Sequence, residues 1–370
     1  MVKKGFALAF VLVAFVACGD VTGAGRGKAP EVIWRTPLAV RYSTSDQTPA
    51  ADGERLYAIA GGMVTFSAHT GEIVWTYSLD RYIPSNAVLR NGRVFAAENI
   101  AFALDAETGA ELWRFTPDEQ ASHGESTADE HAFYFGTWSH RVYALDQATG
   151  ALLWSTDIGP DWQYTGIVKG VSVSGDTVYA AAREYTAANG YISNGWIVAL
   201  DRTTGRELWR YRSGNGSQLR SVSSALTVAG RLLLASDLHG SSFFAVDRFT
   251  GQEVWRVESA PGFVGPVQAP VAVGDVAYLA SNDEYVYAVE LQTGRIIWKT
   301  HTPASNNAFV VCDDQIFVTW LGLSVLDRRT GRVLYQSPVD QHDFPTSRFA
   351  RHGDRVYVLG SAAAYAYRCK

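Results

Sequence analysis

Charge is sparse in this chain, and sulfur is sparser. Asp, Glu, Lys and Arg supply 19% of the 370 residues, beside two Met and three Cys. A disordered chain needs much more charge than that, and so does a long solvent-exposed helix. No basic stretch occurs and the formal net charge is −5, so the electrostatic footprint of a nucleic-acid binder is missing. The one long apolar run, Phe6 to Ala17, is too short to span a bilayer. No His pair has zinc spacing, no Gly-rich phosphate loop opens a helix, and no nucleophilic Ser elbow is present.

Aromatic residues (12%) and glycine (34 residues) are plentiful, as in strand-and-turn proteins. They recur in a pattern, Ala-x-Asp-x-x-Thr-Gly-x-x-x-Trp. Four copies are complete, with Asp105, Asp146, Asp201 and Asp247 at their third position. Three are worn, at Ser67–Trp75, Ala288–Trp298 and Asp327–Tyr335. From Thr70 to Thr330 the steps are 38, 41, 55, 46, 43 and 37 residues. A period near 40 built from strand-like segments predicts a propeller.

Each repeat reads as one blade. In the second, Arg93–Ala97, Ile100–Leu104 and Glu111–Phe115 are strand runs that alternate in and out, and Asn86–Leu89 is a weaker inner strand. Asp105 accepts backbone N–H groups in the turn, and Gly109 supplies its positive φ. A single sheet cannot bury both faces, so blades must stack, with the large outer-strand aromatic buried between them. Those docking residues are Trp34, Trp75, Trp113, Trp154, Trp209, Trp255, Trp298 and Tyr335. The C-terminal runs Asp354–Leu359 and Ala363–Tyr367 lack an outer strand, and Glu31–Arg35 is an outer strand without a blade. Pairing them removes two open edges. The expectation is an all-β, eight-bladed propeller of four-stranded antiparallel blades, closed by the N-terminal strand in the C-terminal blade.

Residues 1–17 read as a secretory leader, with Lys3 and Lys4 ahead of the apolar run. It ends in Phe15-Val16-Ala17-Cys18, which resembles the bacterial lipobox. Cys18 is then the lipidated residue, 18–30 a flexible tether and 31–370 the propeller. The membrane is met through the lipid anchor alone. Gly19 after the Cys points to the outer membrane rather than the inner. Cys312 and Cys369 fall on the same rim in an oxidising compartment, either as a disulfide or as two thiols.

The recurring unit resembles the tryptophan-docking motif of quinoprotein-like propellers over nearly all of Glu31 to Cys369. That family has two branches: dehydrogenases dependent on pyrroloquinoline quinone (PQQ), and non-catalytic propeller lipoproteins such as the B subunit of the outer-membrane β-barrel assembly machinery. The first branch implies Ca²⁺ held by carboxylate and amide oxygens, an Asp base and commonly a Cys-Cys pair. The sequence has no such pair, no oxygen-rich Ca²⁺ loop and little room for the insertions that build a cofactor pocket. We therefore expect no catalytic residues, no metal and no cofactor, with PQQ and Ca²⁺ belonging only to the dehydrogenase alternative. A propeller that binds a small ligand or glycan in its funnel is the third reading.

The expected site is a protein-binding face. Middle hairpins and inter-blade links emerge on one face of a propeller, and here those segments are long. Arg183–Gly195 reads as an insertion in the middle hairpin of the fourth blade. With the links it presents Trp162, Tyr164, Arg183, Tyr185, Tyr191 and Phe263, residue types that dominate protein interfaces. Gln218–Ala225 resembles the Leu-Arg loop through which the assembly lipoprotein engages its barrel-forming partner. The likeness implies that Leu219 fills an apolar pocket and Arg220 pairs with a carboxylate. The expected partner is an envelope protein, a barrel-assembly component in particular, bound by a monomeric propeller.

Overall fold

The computed structural model describes residues 26–38, 47–60, 62–78, 86–97, 99–118, 124–159, 166–185, 193–213, 220–222, 225–237, 242–259, 268–302, 308–319, 322–337 and 347–369. These form eight antiparallel sheets in chain order. Blade three is representative: Thr127–Ala128, Ala132–Gly136, Arg141–Asp146 and Leu152–Asp157 pair each with the next. Apolar residues fall into eight clusters, and each joins two neighbouring blades. The core is therefore a ring of seams with no shared centre.

The recurring motif explains the seams. In the second blade Asp105 Oδ1 accepts the backbone N–H groups of Glu107 (3.1 Å) and Thr108 (2.8 Å) and the Thr108 hydroxyl (2.8 Å). Gly109 then takes φ +75°, a conformation that side chains disfavour. The strand that follows starts with a bulge between Glu111 and Trp113. This bulge breaks the strict alternation read from the sequence: Glu111 and Leu112 both face solvent, and Trp113 turns inward. The same bulge leaves Ile73, Val74, Leu152, Leu153, Ile296 and Ile297 exposed beside their tryptophans.

Each docking tryptophan reaches the turn of the following blade. The indole N–H of Trp34 donates to the carbonyl of Ala68, Trp75 to Ala106, Trp113 to Gln147, Trp154 to Arg202, Trp209 to Arg248 and Trp255 to Leu291, at 2.8–3.2 Å. The ring lies flat on the next turn glycine. A Cβ at Gly205 would stand 2.6 Å from Trp154, and one at Gly331 would stand 2.5 Å from Trp298. Glycine is thus needed twice over, for its φ and for its missing side chain.

Closure runs as expected. Strand Val32–Pro37 pairs with Ala363–Arg368 and is the outer strand of blade eight. A strand is present before residue 31, however, inside the segment read as tether. Arg26–Gly27 pairs antiparallel with Tyr335–Gln336 and adds a fifth strand to blade seven. Cys312 and Cys369 are disulfide-bonded across the seam between blades seven and eight, with Cα atoms 5.8 Å apart.

Gly205→Ala should be markedly destabilising, by about 2–4 kcal/mol, because left-handed strain adds to a clash with Trp154. Gly175 also has positive φ, but no atom lies within 4 Å of its would-be Cβ, so Gly175→Ala should cost only about 1 kcal/mol. Urea unfolding of both variants separates the two terms. The turn carboxyls also set an acid limit. Thr108, Thr149, Thr204 and Thr330 each donate a hydroxyl and a backbone N–H to their aspartate, holding Asp105, Asp146, Asp201 and Asp327 below the usual carboxylate range. Their folded values lie under the unfolded value of about 3.9, so this stability is complete above that pH and is lost as pH falls through the folded values. The melting-temperature gap between wild type and Thr149→Val should be widest at neutral pH and close in strong acid.

Candidate interaction face

Thr-Gly turns lie on one face of the disc. Middle hairpins and inter-blade links lie on the other, here called the loop face. Blade four stands tallest on it. Its strands Gly166–Ser174, Thr177–Tyr185 and Ser193–Asp201 have nine residues each, against five or six in the middle strands of other blades. Both ends of the expected insertion at Arg183–Gly195 are strand: Arg183 faces Gly195, Glu184 faces Asn194 and Tyr185 faces Ser193. Three extra residues lift this hairpin by about 10 Å. Glu184 accepts from the Asn194 side-chain amide (3.0 Å) and from the Trp196 indole (2.9 Å). The guanidiniums of Arg210 and Arg212 lie over the Trp196 ring at 5.7 and 5.5 Å.

Arg220 departs from the sequence reading. Its guanidinium is committed to its own chain, donating to Glu258 (3.0 Å) and the Ser242 hydroxyl (3.1 Å), with a side chain 13% exposed. The fully buried Asp237 lies 3.9 Å from Arg220 and 3.8 Å from Arg256, and accepts the Ser221 N–H at 2.8 Å. The backbone of Arg220 bridges to Asn194, and Val222 bridges to Asp237. The link between blades four and five is thus stitched to both. Arg183 lies half-buried in the same region, its Nε without a hydrogen-bond partner. Burial pulls its guanidinium below the ordinary value, against the pull of Tyr185 and Asp237. Tyr185 closes its strand half-exposed. Leu219, Trp162, Tyr164, Tyr191, Phe263 and Cys18 lie outside the described residues. Asp237, Arg256 and Glu258 were missed in the sequence. They belong to a different blade from Arg183, and only register brings them together.

A second ion pair crosses the funnel. Arg348, in the link entering blade eight, pairs with Glu125, in the link entering blade three. Three blade steps separate them, so their contact runs through the interior of the ring. Around it link residues clasp blade two to blade three and blade six to blade seven. Asn86 exchanges hydrogen bonds with Ser126 (Oδ1 2.7 Å, Nδ2 3.0 Å), and Gln268 does so with Phe309. Among the described residues no group of three or more His, Cys, Asp or Glu side chains could hold a metal, and the carboxylate at the funnel already has a cation. On the turn face a cavity of about 470 Å³ is lined by Arg90, Asp129, Glu130, Asp176 and Arg202, and those charges pair with one another.

A family model described as outer membrane protein assembly factor BamB matches residues 27–195, 96–259 and 193–368. The chain belongs to that family. Among solved structures, BamB from Moraxella catarrhalis superposes with a TM-score of 0.72 at 19% identity, over 93% of this chain and 98% of that one. The quinohemoprotein alcohol dehydrogenase of Comamonas testosteroni superposes at 0.71 with 15% identity, covering 91% of this chain and 76% of that one. At such identities the likeness is one of fold. A tetrathionate hydrolase of Acidithiobacillus ferrooxidans is 22% identical over 74% of this chain, and the match spans 47% of that enzyme's length. The Comamonas dehydrogenase is 25% identical over 54% of this chain and 28% of its own length. This BamB-family propeller therefore spans less than half the length of these curated relatives.

Glu125→Gln should destabilise the fold by about 2–4 kcal/mol, because it leaves the Arg348 guanidinium buried against a neutral partner. A double variant with Arg348→Met should recover most of the loss. Chemical denaturation of both is the check.

Proposed function

We propose that this chain is a non-catalytic envelope lipoprotein that scaffolds a protein assembly, with outer-membrane β-barrel assembly as its setting. Cys18 carries the lipid, the membrane is the outer one, and the propeller faces the periplasm. The observation that carries this reading is the loop face itself. Blade four raises a hairpin above a surface where Asp237, Arg220 and Arg256 stitch down the link to blade five, while the funnel that a cofactor would enter is spanned by Arg348 and Glu125. A rigid, loop-bearing disc presents contacts at little entropic cost. Tyr185 and Leu219 are the proposed contact residues, together with Trp162, Tyr164, Tyr191 and Phe263. Arg220 supports the face from within, by fixing the link that carries Leu219. Family membership supports the same reading, and the dehydrogenase likeness supports the alternative of a redox enzyme.

The test is affinity purification of the lipidated protein from detergent-solubilised envelopes, with mass spectrometry of what accompanies it. An outer-membrane barrel protein should co-purify with wild type and fall at least about tenfold with a Leu219→Asp, Tyr185→Asp variant, the loss expected for two interface anchors. Equal recovery with both would remove the loop face as the interface. Dye reduction that depends on added PQQ and Ca²⁺ would turn the assignment to the enzyme branch.

A further inference from the structure

The two N-terminal strand segments fix the side from which the chain arrives. In blades one to seven the outer strand starts at a Thr-Gly turn and ends in a link, so it runs from the turn face to the loop face. Strand Val333–Gln336 does so in blade seven, starting just after the Thr330–Gly331 turn. Arg26–Gly27 lies antiparallel to it, with Arg26 opposite Gln336 and Gly27 opposite Tyr335. Arg26 is therefore at the loop-face end, and the chain before it leaves on that side. Glu31 is at the other end, where its carbonyl accepts the N–H of Arg368, and Val32–Pro37 climbs back as the outer strand of blade eight. The seat on blade seven is specific. Gly27 has φ +83°, and a Cβ there would come within 1.8 Å of the Leu334 carbonyl oxygen.

We infer that the propeller is held with its loop face toward the bilayer surface that carries its anchor. This rests on the proposed lipidation of Cys18. Seven residues, and so eight residue-to-residue steps, separate Cys18 from Arg26. Fully extended, they reach about 26–29 Å. Presenting the turn face instead would require the tether to run back down the blade edge, about 17–20 Å for a strand of ordinary length. Less than about 12 Å would remain to meet the lipid, and the edge it would follow is already covered by Arg26–Gly27. The short tether therefore favours one orientation. It places the raised hairpin of blade four and the links between the disc and the membrane, where a partner embedded in that same bilayer can meet them. The turn face, with its exposed Thr-Gly turns, points away.

Two positions in blade two read this directly. Asp118 is exposed in the link that follows the outer strand, on the loop face, and Glu107 is exposed in the Thr-Gly turn on the opposite face. With Cys312 and Cys369 bonded and Cys18 lipidated, Asp118→Cys or Glu107→Cys supplies a single free thiol for a fluorophore. The full protein, expressed with its leader, is reconstituted into phospholipid vesicles containing a nitroxide-headgroup lipid. Quenching at position 118 should exceed quenching at position 107 several-fold, and a long Gly-Ser insertion between residues 20 and 25 should erase the difference. Flotation with equal or reversed quenching overturns the orientation while leaving the anchor intact. Failure to float with the vesicles overturns the anchor itself, and the orientation with it.

Discussion

One contact repeats around the ring, and everything else depends on it: a tryptophan lying on the turn glycine of the next blade. The indole ring closes the seam, and its N–H satisfies a carbonyl of the neighbouring turn. The aspartate and threonine of that turn hold the glycine where the ring can reach it. Each blade is thus both donor and receiver, and no blade can bury its faces alone. Cooperativity passes from seam to seam, as in other repeat architectures. The last seam is the exception in chemistry. Between blades seven and eight a disulfide stands beside the apolar cluster, close to the point where the two ends of the chain meet.

The architecture was legible because that contact leaves a signature in sequence. Tryptophan, glycine, threonine and aspartate at fixed offsets mark the turn and the ring together, so the number of blades, the closing strand and the docking tryptophans could be read from spacing. Two features were not legible. The bulge ahead of each tryptophan depends on how the strand leaves its turn, and simple alternation hides it. The fifth strand of blade seven rests on two residues in a Gly-rich stretch. Gly27 there looks like a tether residue until its close approach to Leu334 is seen.

The candidate face was legible only in outline. Long links and a long fourth hairpin are visible as departures from the period, since the step from Thr149 to Thr204 is the largest of the six. The partners of the charges on that face are not visible. Arg220 reads as an exposed cation because its neighbours in sequence are small and polar. Its actual neighbours, Ser242 and Glu258, come from blade five with Arg256 and the buried Asp237. The ion pair of Arg348 with Glu125 is more remote still, joining links more than two hundred positions apart.

These internal charges change what the face can do. A guanidinium already hydrogen-bonded to a carboxylate gains little from a second one, since both must be desolvated again at an interface. A partner that took Arg220 from Glu258 would also loosen the link between blades four and five. It gains more by leaving Arg220 in place and using the apolar and aromatic side chains that the fixed link and the raised hairpin present. Affinity would then come from shape held in advance, with the arginines acting as rivets beneath it.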